Sequence, residues 1–301
     1  MLMVAMAIDV AFGDPRGKLH PVSWIGSLYA RGRARLLEEP SPCRLVLTGG
    51  ALTVGVAAIA AGAAAVVAWL ARETGVVGLV GEALALKATL SLRGLARAAH
   101  EVRRALERDD LPAARRLVGV HLVSRPTAPL DAPGVASAAI ESVAENLTDA
   151  VVAPVCFFLA FGLPGAFVYR AINTADAMIG YREGALEHFG KIAARLDDAL
   201  NFVPARIAAL AVALAAGLAR GDARAAVATS WRDHSRTASP NAGWTMAAMA
   251  GALGVVLQKP GAYRLGRGRL PNPGDITRAV RLMVAAAVIF IAVIGIAGSI
   301  L

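Results

Sequence analysis

Long uncharged apolar runs alternate along the chain with short segments crowded with charge. A hydrocarbon core about 30 Å thick takes roughly 20 helical residues, so about 18 or more uncharged residues in a row mark a candidate crossing. Three runs qualify: Leu45 to Ala71, Ala150 to Tyr169 and Leu282 to Leu301. A fourth, Thr237 to Gln258, is uncharged but opens on a polar Thr-Ala-Ser-Pro-Asn run, which leaves an apolar part nearer sixteen residues. Ile207 to Ala219 has thirteen residues between two arginines, and Met1 to Phe12 is interrupted by Asp9. Length alone would make this short pair core helices; beside the longer runs they read as partial or tilted membrane segments. The first run lacks a basic leader and its small residues Ala5 and Ala7 come early, so no signal peptide is expected.

Between Glu82 and Val118, the positions Leu84, Ala88, Leu92, Leu95, Ala99, Val102 and Leu106 recur at three- and four-residue steps. Arg93, Arg97, Arg104 and Arg108 fall on another face, so the stretch predicts one amphipathic helix. It would either pack on neighbouring helices with a solvated basic face or lie on an anionic lipid surface. No β-alternation of useful length and no internal repeat is visible. The expected fold is all-α: a polytopic integral membrane helical protein with about four to six membrane segments. Residues 1–301 would form a single membrane-embedded domain, with an amphipathic helical cytoplasmic insertion at about 72–149.

Composition agrees. Of 301 residues, 56% are hydrophobic and 18% charged, against about 25% charged in soluble domains, and mean hydropathy is positive. Disorder, a disulfide scaffold and an ordinary soluble enzyme are excluded. The net charge of +9 is divided among the loops between apolar runs, which speaks against nucleic acid and for a lipid bilayer. Basic excess recurs in residues 13–44, 72–149, 220–236 and 259–281, more loops than strict alternation of sides can place inside. Either a segment is re-entrant or the rule is blunted in the longest loop. Cys43 and Cys156 have no metal or redox spacing, and Gly13 to Leu19 lacks the spacing and the Ser/Thr of a phosphate-binding loop.

The chemistry gathers at the ends of the apolar runs. Within Ala138 to Ala153, Glu141, Glu145 and Asp149 stand at i, i+4 and i+8, a stripe of three carboxylates with Asn146 beside it. Like charges at that spacing repel. Mg²⁺ with substrate phosphates, or Arg and Lys from another segment, would compensate them; a solvated acidic face is the plainer alternative. Asn173 and Asp176 share a helical face in Tyr169 to Arg182, a stretch that also carries Arg170. Arg195, Asp197, Asp198, Asn201 and Arg206 repeat the mixture, with Asp197 and Asn201 at i, i+4. Ser239 and Asn241 lead into a small-residue face, Gly243, Ala247 and Gly251, suited to close helix packing, and either could cap that helix. His20 and His234 are candidate acid/base groups or structural residues. The loop Lys259 to Arg269 is glycine-rich and basic, a phosphate contact or a solvated turn.

Taken together these motifs resemble one family, the adenosylcobinamide-phosphate synthases of cobalamin biosynthesis, of the CbiB/CobD type. The resemblance rests on Gly13-Asp14-Pro15 with His20-Pro21-Val22; Glu141 to Asp149 followed by Ala153-Pro154; Tyr169 to Tyr181; Ala194 to Asp198 with Asn201 and Pro204-Ala205-Arg206; and Ser239-Pro240-Asn241 with Trp244 and Ala250 to Gly254. It runs in order over nearly the whole chain. It implies an integral membrane ligase joining adenosylcobyric acid to 1-amino-2-propanol O-phosphate, or ethanolamine phosphate, through an amide bond with ATP. Two positions depart from the family pattern: Pro126 where Asp is usual, and Met246 where Glu is common. On this reading Glu141, Glu145, Asp149, Asp176, Asp197 and Asp198 hold Mg²⁺ with ATP, Glu145 and Asp198 being central to the chemistry. Arg170, Arg195 and Arg206 neutralise phosphate, Asn173, Asn201 and Asn241 assist, and His20 or His234 acts as base. ATP and corrinoid intermediates are cytoplasmic, so the site is expected on that face of the bacterial inner membrane. A second copy, or other membrane enzymes of the same pathway, would be the partners. A Mg²⁺-dependent membrane phospho- or prenyltransferase, and a non-catalytic corrinoid-binding protein or transporter, are the competing readings.

Overall fold

The computed structural model describes residues 1–14, 20–37, 41–219 and 221–300. Residues 15–19, most of the stretch rejected as a phosphate-binding loop, lie outside them. In chain order the helices are α1 (Leu2–Phe12), α2 (Pro21–Leu36), α3 (Pro42–Glu73), α4 (Gly75–Lys87), α5 (Leu92–Glu107), α6 (Leu111–His121) and α7 (Ala132–Leu147). A π turn, Thr148–Val152, leads into α8 (Ala153–Ile179), α9 (Leu186–Phe189), α10 (Lys191–Leu200), α11 (Phe202–Leu218) and α12 (Ala223–Asp233). After a 3₁₀ turn, His234–Arg236, come α13 (Ala242–Leu253), β1 (Leu257–Lys259), β2 (Tyr263–Leu265) and α14 (Pro273–Ile300). The protein is an all-α polytopic membrane fold. Among the described residues four stretches are long and apolar enough to cross a membrane: Pro42–Glu73, Gly75–Glu107, Ala132–Ile179 and Pro273–Ile296. The pair Lys191–Leu200 and Phe202–Leu218 would make a fifth. With eleven residues, α1 rises only about 16 Å.

The chain divides into two compact units. The first comprises Met1–Ser91 and Ala153–Asn201. Its α3 buries the small residues Ala57, Ala60 and Ala64 while Leu47, Val54, Ile59, Val66 and Trp69 stay exposed on its outer face, the pattern of a helix with lipid as its solvent. The expected span Ala150–Tyr169 falls in an apolar stretch but is not a straight rod. Gly162 has φ 66° and ψ −162°, a conformation open to glycine, and Pro164 follows it. In an unbroken helix Phe157 and Tyr169 would be about 18 Å apart; their rings stack at 5.3 Å. The two halves of α8 therefore fold back on each other, with Leu159 and Phe161 exposed toward the tip. This is the geometry of a re-entrant segment, and it returns the polar stretch after Tyr169 to the side at which Ala153 enters.

The second unit comprises Leu92–Val152 and Phe202–Leu301. Its centre is α13, buried from Thr245 to Leu253. A Cβ on Gly243 would lie 2.0 Å from the His234 carbonyl, and one on Gly251 2.3 Å from that of Ala225. The small-residue face thus lets α12 and the turn after it approach at backbone distance, as expected. The expected crossing Thr237–Gln258 is corrected: α13 has twelve residues, too few to span, and ends at Gly254 before a short antiparallel hairpin that sequence reading missed. The glycine-rich basic loop is that hairpin and its exit. It is pinned by two buried carboxylates: the Gly266 N–H donates to Asp233 at 2.9 Å, and Arg269 makes a two-pronged pair with Asp275.

Two further corrections concern helix continuity. The amphipathic helix expected over Glu82–Val118 is three helices. Thr89 and Leu90 form a turn after α4, and α5 ends at Glu107, the chain turning away at Asp109, whose φ is 55°. Asp110 then caps α6 by accepting from the Ala113 N–H at 2.9 Å. Within α5 the expected positions Leu92, Ala99, Val102 and Leu106 are buried while Arg93, Arg97 and Arg104 face out, so the packed alternative holds. The carboxylate stripe keeps helical register only from Glu141 to Glu145, because at Thr148 the helix widens into the π turn that carries Asp149. Such insertions recur at functional sites.

Candidate functional site

Each unit carries polar groups of its own. In the first, Asp197 of α10 accepts hydrogen bonds on both oxygens: from Asn173 Nδ2 at 3.2 Å and from Asn201 Nδ2 at 3.1 Å. The amides are themselves oriented. Arg170 Nη1 donates to Asn173 Oδ1 at 3.3 Å, and the Tyr169 hydroxyl donates to Asn201 Oδ1 at 3.0 Å. Five side chains, from α8, from α10 and from Asn201 at the end of α10, form one directed chain converging on a single carboxylate. The i, i+4 spacing of Asp197 and Asn201 was legible; Tyr169 as a donor was not. Among the described residues the Arg170 Nε is buried without a hydrogen-bond partner. Asp176, half-buried, lies over Gly180, while Arg195 and Asp198 line a cleft beside α10.

A second cluster in this unit was not foreseen. Asp9 is fully buried and lies 3.4 Å from Lys87 Nζ, which also donates to Asp14. Ser91 donates to the other Asp14 oxygen at 2.6 Å. Burial opposes ionisation of Asp14, but hydrogen bonding from His20, Lys87 and Ser91 outweighs it and holds the carboxyl well below its usual range. The signal was available: Asp9 and Lys87 are lone charges in apolar stretches, which rarely occur without a partner. His20 caps α2. Its Nδ1 accepts the Val22 N–H at 3.2 Å, so its proton is on Nε2, which faces Asp14 at 3.4 Å. Both ring nitrogens are engaged.

In the second unit Glu141 is buried with its oxygens satisfied by Ser137 at 2.8 Å, Arg125 at 3.0 Å and the Tyr263 hydroxyl at 2.8 Å. At Glu141 the stripe is compensated by an arginine from another segment. Burial, and then the adjacent Glu141 charge, push the Tyr263 phenol up. Met246, one of the two departures from the family pattern, brings its sulfur to 3.9 Å from that phenol. Glu145 is exposed and Asp149 half-exposed. Among the described residues no three His, Cys, Asp or Glu side chains gather into a group that could hold a metal ion.

The remaining expected residues of this unit meet around Trp244. The His234 ring stacks on it at 4.0 Å, and the Arg206 guanidinium lies 4.9 Å from its ring and 3.6 Å from that of Phe202. Arg206 Nη1 donates to Asn241 Oδ1 at 3.3 Å, so Asn241 occupies the cap position of α13 without capping it; Ser239 instead accepts the Asn241 N–H at 3.2 Å. His234 Nδ1 faces the carbonyl oxygens of Ser230 at 3.2 Å and Trp231 at 3.0 Å. Carbonyls only accept, so Nδ1 carries a proton, and in the neutral ring the lone pair is on Nε2. The two histidines are thus held in opposite tautomers, and His234 is the one with a basic nitrogen to offer. Among the described residues the Trp244 Nε1 is buried with no partner.

Comparison with known proteins bears on nearly the whole chain. The Cobalamin biosynthesis protein CobD of Dehalococcoides mccartyi is 40% identical over 266 residues, covering 88% of this chain and 86% of that protein. Those of Klebsiella pneumoniae and Mycobacterium tuberculosis are 37% and 41% identical, over 94% and 93% of this chain and 92% and 90% of their own lengths. No solved structure matches. Residues 2–283 match the family described as CobD/Cbib protein, and the chain belongs to that family of cobalamin biosynthesis proteins.

Proposed function

We propose that this chain is an ATP- and Mg²⁺-dependent ligase. It joins adenosylcobyric acid to 1-amino-2-propanol O-phosphate, or to ethanolamine phosphate, at the cytoplasmic face of the bacterial inner membrane. The observation that carries the reading is the family match over residues 2–283, which takes in every motif of the resemblance to the amide-forming synthases. The donor set fits a Mg²⁺ that arrives with nucleotide phosphates, since that ion takes one or two carboxylates and completes its sphere with phosphate oxygens and water. Glu145 and Asp149, which keep solvent access, would hold it; Glu141 and Asp197 already have both oxygens engaged. ATP, when bound, supplies the activation that makes the corrinoid carboxylate an acyl donor.

The chain's own residues do the rest. His234 Nε2 takes a proton from the attacking ammonium, while Trp244 fixes the plane of the ring and the Ser230 and Trp231 carbonyls fix its tautomer. Arg206, oriented by Asn241, presents a guanidinium to phosphate oxygens. Arg170 acts through Asn173 as a positioning residue. The test is amide formation by the purified protein given the four substrates and ions. His234→Ala is expected to lower kcat by about 10²–10⁴-fold. Undiminished turnover in that variant would remove the base assignment. Corrinoid binding by the wild type with no amide product would favour a transport or storage role.

A further inference from the structure

Beside α10, within the first unit, lies a cleft of about 230 Å³. Lys191, Arg195 and Asp198 line it from one face of α10, at i, i+4 and i+7, joined by Arg182 and Glu187 from the segment between α8 and α10. None of the three cations has an ion pair or side-chain hydrogen bond among the described residues. Elsewhere in the molecule buried carboxylates answer cations closely, as Asp233 answers Arg232 and Asp275 answers Arg269. Three cations facing one cavity, with two of them a single turn apart and mutually repelling, make the cleft a site that an anion from outside the chain would stabilise.

The cleft also has two carboxylates on its wall, so its field is not uniformly positive. It suits a ligand bearing both signs. Its volume falls below the roughly 300–1,000 Å³ of pockets that enclose drug-sized molecules, which disfavours a nucleotide and suits a molecule of about ten heavy atoms. We propose that this cleft seats a small zwitterion, its phosphate monoester against Arg182, Lys191 and Arg195 and its ammonium against Glu187 and Asp198. This rests on the ligase reading and deepens it, for the amine substrate of that reaction has this chemistry. Arg182, Lys191 and Glu187 become specificity residues that the motif reading did not include. Guanidinium pairs phosphate oxygens two at a time and lysine adds a point charge.

The experiment uses the full chain in lipid nanodiscs and calorimetric titration without ATP. The ligands are 1-amino-2-propanol O-phosphate, propyl phosphate, 1-amino-2-propanol and inorganic phosphate. The first is expected to bind at least about tenfold more tightly than the other three. Lys191→Gln and Arg195→Gln are each expected to weaken it about tenfold, a change of about 1.4 kcal/mol, with the KM for ATP unchanged. These side chains are exposed, so the variants are expected to fold; Glu187→Gln should reduce the preference for the amine-bearing ligand while leaving phosphate binding in place. Equal binding of inorganic phosphate, loss of ATP affinity in the variants, or displacement by anionic lipid without effect on either substrate would each overturn the assignment. Should the wild type bind the zwitterion in this charge-dependent way yet form no amide, the ligase reading fails and the cleft stands. Should it form amide while the variants change neither binding nor KM, the cleft fails alone.

Discussion

The carboxylate at Asp197 offers the sharpest test of the directed network between α8 and α10. Replacing it by asparagine keeps its shape and removes one acceptor. Asn173 cannot turn to adapt, because its Oδ1 already receives Arg170, which only donates. Asn201 can turn, since the Tyr169 hydroxyl also accepts, but that hydroxyl's proton then gives up Asn201 Oδ1. Either the new amide nitrogen faces another amide nitrogen or the buried Tyr169 proton loses its Asn201 acceptor. A hydrogen bond to a charged group is worth about 1.5–3 kcal/mol, and an unmet buried donor costs about 1–3 kcal/mol, so Asp197→Asn should destabilise by about 3 kcal/mol. At roughly 2–4 °C per kcal/mol for a chain of this order of size, the melting temperature in detergent should fall by about 6–12 °C, read by scanning fluorimetry. The exchange Asn173→Asp with Asp197→Asn restores every partnership: the carboxylate at position 173 receives Arg170 and the amide at 197, whose oxygen receives Asn201. Most of the lost stability should return, a coupling that a double-mutant cycle isolates. A single variant as stable as the wild type, or an exchange no better than the single, would refute the directed network.

Other consequences follow from the same geometry. Asp233, buried beneath Arg232, Arg236 and the Gly266 N–H, has burial working against its ionisation, but those partners hold its carboxyl below the usual range. Its stabilising contribution should therefore be complete above the unfolded value of about 4 and fade as pH falls toward its folded value. Asp233→Asn should cost about 1–3 kcal/mol at neutral pH, the range for lost hydrogen bonds to a charged group, because the two arginines left behind are partly exposed, and should flatten the acid limb of a stability–pH curve. Gly251→Ala sets a Cβ 2.3 Å from the Ala225 carbonyl, which is backbone and cannot swing away. Parting α12 from α13 should cost about 1–3 kcal/mol, measured by denaturant titration.

What could be read ahead of the structure was what periodicity encodes. The apolar runs in α3 and α14 and the buried face of α5 needed only local spacing, and the motif resemblance pointed to the family that the comparisons bear out. The reversal at Gly162 was not read because one backbone angle decides it, although Gly162-Leu163-Pro164 inside an apolar run was a visible warning. The π turn at Thr148 likewise leaves no periodic mark. Partners far apart in sequence were hidden for another reason. Glu141 finds Tyr263 and Arg125, and nothing local to Glu141 names either partner. The overestimate of Thr237–Gln258 as a crossing arose because a helix buried in protein and one buried in lipid have the same composition.

The most direct measurement is the ratio of amide formed to ATP consumed by purified protein with adenosylcobyric acid, 1-amino-2-propanol O-phosphate and Mg²⁺, with the corrinoid product identified by mass spectrometry. One ATP lost for each adenosylcobinamide phosphate gained, with neither occurring when the amine is withheld from the mixture for the length of the assay, is the expected result. An intact corrinoid after complete incubation, with ATP untouched, would contradict the account.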